Sequence, residues 1–220
     1  MMAVAVLGAT GRTGRLLVAE LLRRNHRVTV LVRDPAGLGD LAGRVRTIIG
    51  DSRDPGALTA LVDGVDAVLS GLGPTGKEPT LHRDTAAALV AVMNSAGPRR
   101  FIGISGAGID VPGDQKAFRD RVISTLIARL GGAVVADKPA EYRVWADSGL
   151  DWTLVRPPRL RDGAVTGVVE HDARRSTRST SMRRADLAGF LVDVLEQDLY
   201  VRAAPFAATA TKTITRRRVS

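Results

Sequence analysis

The stretch that decides the fold is Leu7-Gly8-Ala9-Thr10-Gly11-Arg12-Thr13-Gly14, preceded by the apolar run Ala3-Val4-Ala5-Val6 and followed by Leu16, Leu17, Leu21 and Leu22. A short continuous apolar run reads as a strand buried on both faces. Leucines at helical spacing after a glycine turn read as a helix packed on that strand. Between them, Gly8 permits a tight turn, Gly11 lets an anionic group approach the backbone, and Gly14 lets the helix lie close to the sheet. The amides at the helix start then face outward toward a pyrophosphate. The spacing is GxxGxxG rather than GxGxxG, and its position between strand and helix separates it from a chance glycine pattern.

The same alternation continues along the chain. Strands are expected at 27–32, 45–49, 65–70, 100–105 and 151–156, with a short one at 164–169. Helices are expected at 14–24, from Asp54-Pro55 onward, and over 80–96, 116–130, 137–148 and 184–196. Strands alternating with helices predict right-handed crossovers and an α/β, three-layer Rossmann-type fold with a mostly parallel sheet of six or seven strands. The 220 residues suit a single nucleotide-binding domain. Within it, 1–105 reads as the cofactor-binding core, 106–199 as substrate-side loops and helices, and 200–220 as a peripheral basic tail, with one peripheral strand expected from Leu199 onward. Residues 171–183 read as a mobile, arginine-rich segment.

Composition excludes several function classes. There is no cysteine, and His26, His82 and His171 lie far apart. Disulfides and thiolate chemistry are therefore out, and no metal-ligand spacing is present. No apolar run approaches a membrane span, and the chain start reads as a first strand, so a cytoplasmic protein is expected. The net charge of +9 is concentrated: 171–184 and 212–218 each carry +4. With aromatic residues at 4%, a base-stacking surface is not expected, and neither is a nucleic-acid partner. The 212–218 run has no apolar pattern and is expected to be dispensable for folding.

The second strand ends in Val32-Arg33-Asp34. An arginine fork at this place suits the 2′-phosphate of NADP, and Arg12 in the glycine turn can reach toward the same group. Asp34 keeps NAD open, because an acid here holds ribose hydroxyls in NAD sites. Asp51, after the third strand, can accept from an adenine amino group or cap its own turn. Ser70-Gly71-Leu72-Gly73, at the end of the fourth strand, is expected to line the cofactor.

These motifs, together with Gly50-Asp51, the stretch 147–153 and Val155-Arg156-Pro157-Pro158, resemble the atypical short-chain dehydrogenase/reductases of the NAD(P)H-binding type. Within that group the chain is similar to the biliverdin-IX-beta reductase and flavin reductase branch. The resemblance spans roughly 3–198. It implies that Thr10, Arg12 and Thr13 line the pyrophosphate and that Arg33 meets the 2′-phosphate. It also implies Ser105 near the nicotinamide, Lys138 beside the ribose, and Pro157, Pro158 and Arg159 along the nicotinamide-facing wall. The Tyr-x-x-x-Lys pair of classical members is missing: Val134 stands four before Lys138, and Tyr142 four after it.

The expected activity is NADPH-dependent hydride transfer to a conjugated acceptor such as a flavin or quinone, with Ser105 and Lys138 as the catalytic candidates. A non-catalytic NADP(H)-binding sensor is the alternative. An atypical dehydrogenase or isomerase acting on a sugar-like substrate is a third reading, which the missing pair disfavours. The partner is a small molecule, anionic or flavin-like among the options; Arg159 and Arg161 border its side. The protein is expected to be a monomer or weak homodimer. His26 and His82 read as solvated, and Asp186 as a helix-start acid beside Arg183 and Arg184.

Overall fold

The computed structural model describes residues 1–73, 78–117 and 132–210. Six strands form one sheet: β1 (Ala3–Leu7), β2 (Arg27–Val32), β3 (Arg46–Ile49), β4 (Ala67–Ser70), β5 (Arg100–Ile104) and β6 (Asp151–Val155). Their order is β3-β2-β1-β4-β5-β6, and every pairing is parallel. The expected three-layer fold is therefore the observed one. The order in which strands are added reverses between β1 and β4, and the crevice at that switch point is where such sheets bind ligands.

Side chains alternate across each strand and so feed two cores. Val4, Val6, Val30, Leu69 and Val155 face α1 (Arg12–Arg23) and the last helix, α5 (Arg184–Glu196). Ala5, Leu7, Leu31, Val68 and Leu154 face α2 (Pro55–Val62), α3 (Leu81–Ala96) and α4 (Gly132–Asp147). On the first face Arg24 ties α1 to α5, reaching Asp193 and Glu196 at 2.7 Å each. On the other, Phe101 of β5 stacks on Trp145 of α4 with ring centroids 3.7 Å apart.

The expectations hold less well outside the sheet. A 3-10 segment, Pro35–Arg44, follows β2; it starts at Asp34, whose side chain accepts from the Ala36 amide at 2.9 Å. The seventh strand lies later than 164–169 and joins no main-sheet edge: β8 (Val169–Asp172) pairs antiparallel with β10 (Phe206–Thr209). The segment 171–183 contains ordered structure, since β9 (Ser181–Arg183) pairs in parallel with β7 (Arg159–Arg161). Part of the supposed peripheral tail is interior: Ala204 and Phe206–Ala208 are buried. They close the space under Arg156, whose guanidinium stacks 3.8 Å from the Phe206 ring centroid. The helix expected over most of 116–130, loop positions 74–76 and the 212–218 tail lie outside the described residues.

Candidate nucleotide and hydride-transfer site

The glycine turn sits on the switch point. Gly8 has φ +73°, a conformation that disfavours any side chain, and a Cβ there would meet the Leu72 amide nitrogen at 2.6 Å. A Cβ on Gly14 would meet the Gly8 carbonyl oxygen at 1.9 Å. The turn thus packs β1, α1 and the end of β4 together closely enough that only glycine fits. The helix starts at Gly11 without a side-chain cap. Its first amides after Gly11 have no intrahelical acceptor and form an anion-binding end. Thr10, Gly11 and Arg12 are exposed there, while Thr13 is buried.

An open groove of about 500 Å3 runs from this turn across the ends of β1, β2 and β3. Gly8, Thr10, Arg33, Gly50, Asp51 and Leu72 line it, joined by Glu78 and Leu81. Of the expected nucleotide residues, the groove brings together Gly8, Thr10, Arg33, Asp51 and Leu72. Arg12 does not line the groove; its guanidinium lies 3.8 Å from Asp162. Asp51 accepts from the Arg53 backbone amide at 2.9 Å and holds the Arg53 guanidinium at 2.8 and 2.9 Å. Those hydrogen bonds keep its carboxyl down at about 2, against the smaller opposing effect of burial. Asp51 thus caps its own turn as well as lining the groove. Arg53 and Glu78 were missed in the sequence because nothing in their spacing marks them; both are set by loop geometry.

Just past the end of β5, Ser105 and Lys138 come together through backbone. The Ser105 amide donates to Val155 O at 2.8 Å, and Lys138 Nζ donates to Ile104 O at 2.9 Å. Pro157, buried, and Pro158 follow β6 immediately alongside, and the Ala107 amide donates to Pro157 O. The Ser105 hydroxyl is buried and has no hydrogen-bond partner among the described residues. Leaving a buried hydroxyl without a partner costs about 1–3 kcal/mol. Lys138 also holds Glu141 at 2.8 Å, so two of its three donors are engaged and its charge is matched locally.

His82 and His26 correct the sequence reading. Both are buried and both have carboxylate partners. His82 Nδ1 lies 3.0 Å from Asp137 Oδ2, and its Nε2 lies 3.3 Å from the Leu72 carbonyl of the cofactor-side loop. Asp137 also accepts the backbone amides of His82 and Arg83 at 2.8 and 3.0 Å. It supplies from α4 the cap that Thr80 does not give to α3. Burial, then the nearby Lys138 charge, pushes the His82 pKa below its usual value. His26 Nε2 meets Glu196 at 2.8 Å. Both partners are more than 50 residues away in sequence, so no local spacing reveals them. Asp186 is also different: it is buried and accepts from Thr166 N, Thr166 Oγ1, Gly167 N and Thr209 Oγ1. Burial raises its pKa, and these donors together hold it below the usual range.

A dinucleotide cofactor fits these residues on three counts: the glycine-only turn, the uncapped helix start and the orphaned Ser105 hydroxyl. The comparisons agree. The chain belongs to the NAD(P)H-binding family, whose model matches residues 8–198. It is similar to an uncharacterised chloroplastic protein of Arabidopsis thaliana, 25% identical over 211 residues; the match covers 88% of this chain and 65% of that one. It is similar to an NAD(P)H azoreductase of Xenophilus azovorans, 28% identical over 163 residues, covering 70% of this chain and 47% of the azoreductase. A crystal structure of a Lactobacillus casei protein shares the fold at a TM-score of 0.79 and 25% identity, covering 96% of this chain and all of that one. Family and fold thus agree with the short-chain dehydrogenase/reductase resemblance. Among the described residues no helix is long and apolar enough to cross a membrane, and no cluster of three metal-ligating side chains occurs.

Proposed function

We propose that the protein is an NADPH-dependent reductase of a small conjugated acceptor such as a flavin, a quinone or an azo compound. The observation that carries this reading is the pairing at the end of β5: an orphaned hydroxyl beside a lysine already committed to two acceptors, with no phenol between them. Tyr142 packs edge-on against Trp152, centroids 5.7 Å apart, and burial raises its pKa. It is not placed as the missing acid. A bound NADPH supplies the hydride. The glycine turn and the amides after Gly11 bind its pyrophosphate, and Arg33 takes the 2′-phosphate. The Ser105 hydroxyl orients the nicotinamide carboxamide or the acceptor, and the third N–H of Lys138 holds a ribose hydroxyl. Pro157 and Pro158 wall the pocket against water.

Such a site aligns reactants but offers no strong proton donor. A conjugated acceptor tolerates this, because it spreads the incoming charge and takes its proton from water. An unactivated ketone concentrates charge on one oxygen and requires a positioned acid. The azoreductase relative supports a conjugated acceptor, although this chain spans under half of that protein.

The test is NADPH oxidation with flavin mononucleotide, a naphthoquinone and an azo dye, set beside a simple aliphatic ketone. Turnover with the first three and little with the ketone is expected. Turnover with the ketone alone would overturn the reading. Tight NADPH binding with no turnover on any acceptor would favour the non-catalytic sensor.

A further inference from the structure

Four charges meet at the adenosine end of the groove. Asp51 and Arg53 are locked to one another by two side-chain contacts and a turn amide. Glu78 then bridges the two arginines: its Oε1 lies 2.8 Å from Arg53 NH2, and its Oε2 lies 3.5 Å from Arg33 NH1. Its side chain is 20% exposed, against 67% for Arg33. Two guanidinium groups converging on one recessed carboxylate form an anion site already filled by the protein's own anion.

We propose that Glu78 is a specificity-determining residue: an internal carboxylate that competes with the 2′-phosphate of NADP(H) for Arg33 and Arg53 and so holds down the preference for NADP(H) over NAD(H). The inference rests on the reading that this groove takes the adenosine half of the cofactor with Arg33 at its ribose. A dianionic 2′-phosphate can satisfy both arginines, but only by displacing Glu78 or by lying against it. A ribose 2′-hydroxyl carries no such conflict, and it can donate a hydrogen bond to Glu78. Asp51 does not share the role, because its carboxylate is spent within its own turn and on Arg53.

The experiment is fluorescence titration of the full chain with NADPH and with NADH, at low and at moderate salt, for the wild type, Glu78→Gln and Arg33→Ala. Glutamine keeps the shape and removes the charge. Glu78→Gln is expected to tighten NADPH about tenfold while NADH changes less than about twofold, with the gain shrinking as salt rises. Parallel changes for both cofactors, no change for either, or weaker NADPH binding would overturn the proposal. Arg33→Ala separates it from the reading beneath. If Arg33→Ala leaves the NADPH/NADH ratio unchanged, the 2′-phosphate assignment itself fails. If Arg33→Ala lowers that ratio and Glu78→Gln leaves it unchanged, only the role of Glu78 fails.

Discussion

Replacing Asp137 by alanine removes three contacts at once, and their geometry sets the expected cost. The carboxylate accepts two α3 amides at 2.8 and 3.0 Å and faces the His82 ring at 3.0 Å, in a buried setting. Loss of a helix cap costs about 1 kcal/mol. A buried imidazole nitrogen left without its partner adds about 1–3 kcal/mol. The total expected is about 3 kcal/mol, a large share of the ~5–15 kcal/mol that folded domains possess. In a chain of this size that lowers Tm by roughly 6–12 °C. Thermal and denaturant unfolding followed by circular dichroism would measure it. Because Asp137 precedes Lys138 on α4, weaker cofactor binding should accompany the loss. Asp137→Asn keeps one of the two acceptor oxygens, so it should cost less than Asp137→Ala but not restore both amide bonds. A destabilisation below about 1 kcal/mol for Asp137→Ala would refute the trans-capping argument.

Further expectations follow from other buried groups. Arg156, fully buried, forks onto Asp114 at 2.6 and 2.7 Å, so Arg156→Met should cost about 3–5 kcal/mol by stranding the carboxylate, with Arg156→Met/Asp114→Leu recovering part of it in urea unfolding. Ser105→Ala should leave cofactor-free stability unchanged or raise it by about 1 kcal/mol, since its hydroxyl has no partner, while lowering turnover up to about tenfold; a loss near ~10⁴-fold would reveal a true general acid. His82 has a folded-state pKa below its unfolded value, so its contribution is present above the ordinary histidine value near 6.5 and is lost as pH falls below it. Stability measured between about pH 7 and 5 should therefore fall less steeply in His82→Gln than in the wild type.

The sheet was legible because periodicity and glycine placement are local. The apolar runs at β1 and β2, the glycine turn and the Asp54-Pro55 helix start all carry their information within a few residues. The nucleotide crevice was legible for the same reason: sheet topology brings strand ends together once strand order is known. What escaped was long-range. Asp137 reaches across 55 positions to His82, Glu196 across 170 to His26, and Thr209 across 23 to Asp186. Phe206 reads as tail in sequence, yet it fills space beside Arg156, which only the folded chain creates. Arg53 and Glu78 belong to the same class, since a loop rather than a motif carries Glu78 to the groove and Arg53 to Glu78.

The most direct test of the account is the ratio of dissociation constants for NADPH and NADH with the wild-type chain and with Arg33→Ala, read by nicotinamide fluorescence. The account expects NADPH to bind more tightly, and it expects Arg33→Ala to remove most of that preference while leaving NADH nearly unchanged. Equal affinities in the wild type, or a preference that survives in Arg33→Ala, would contradict it.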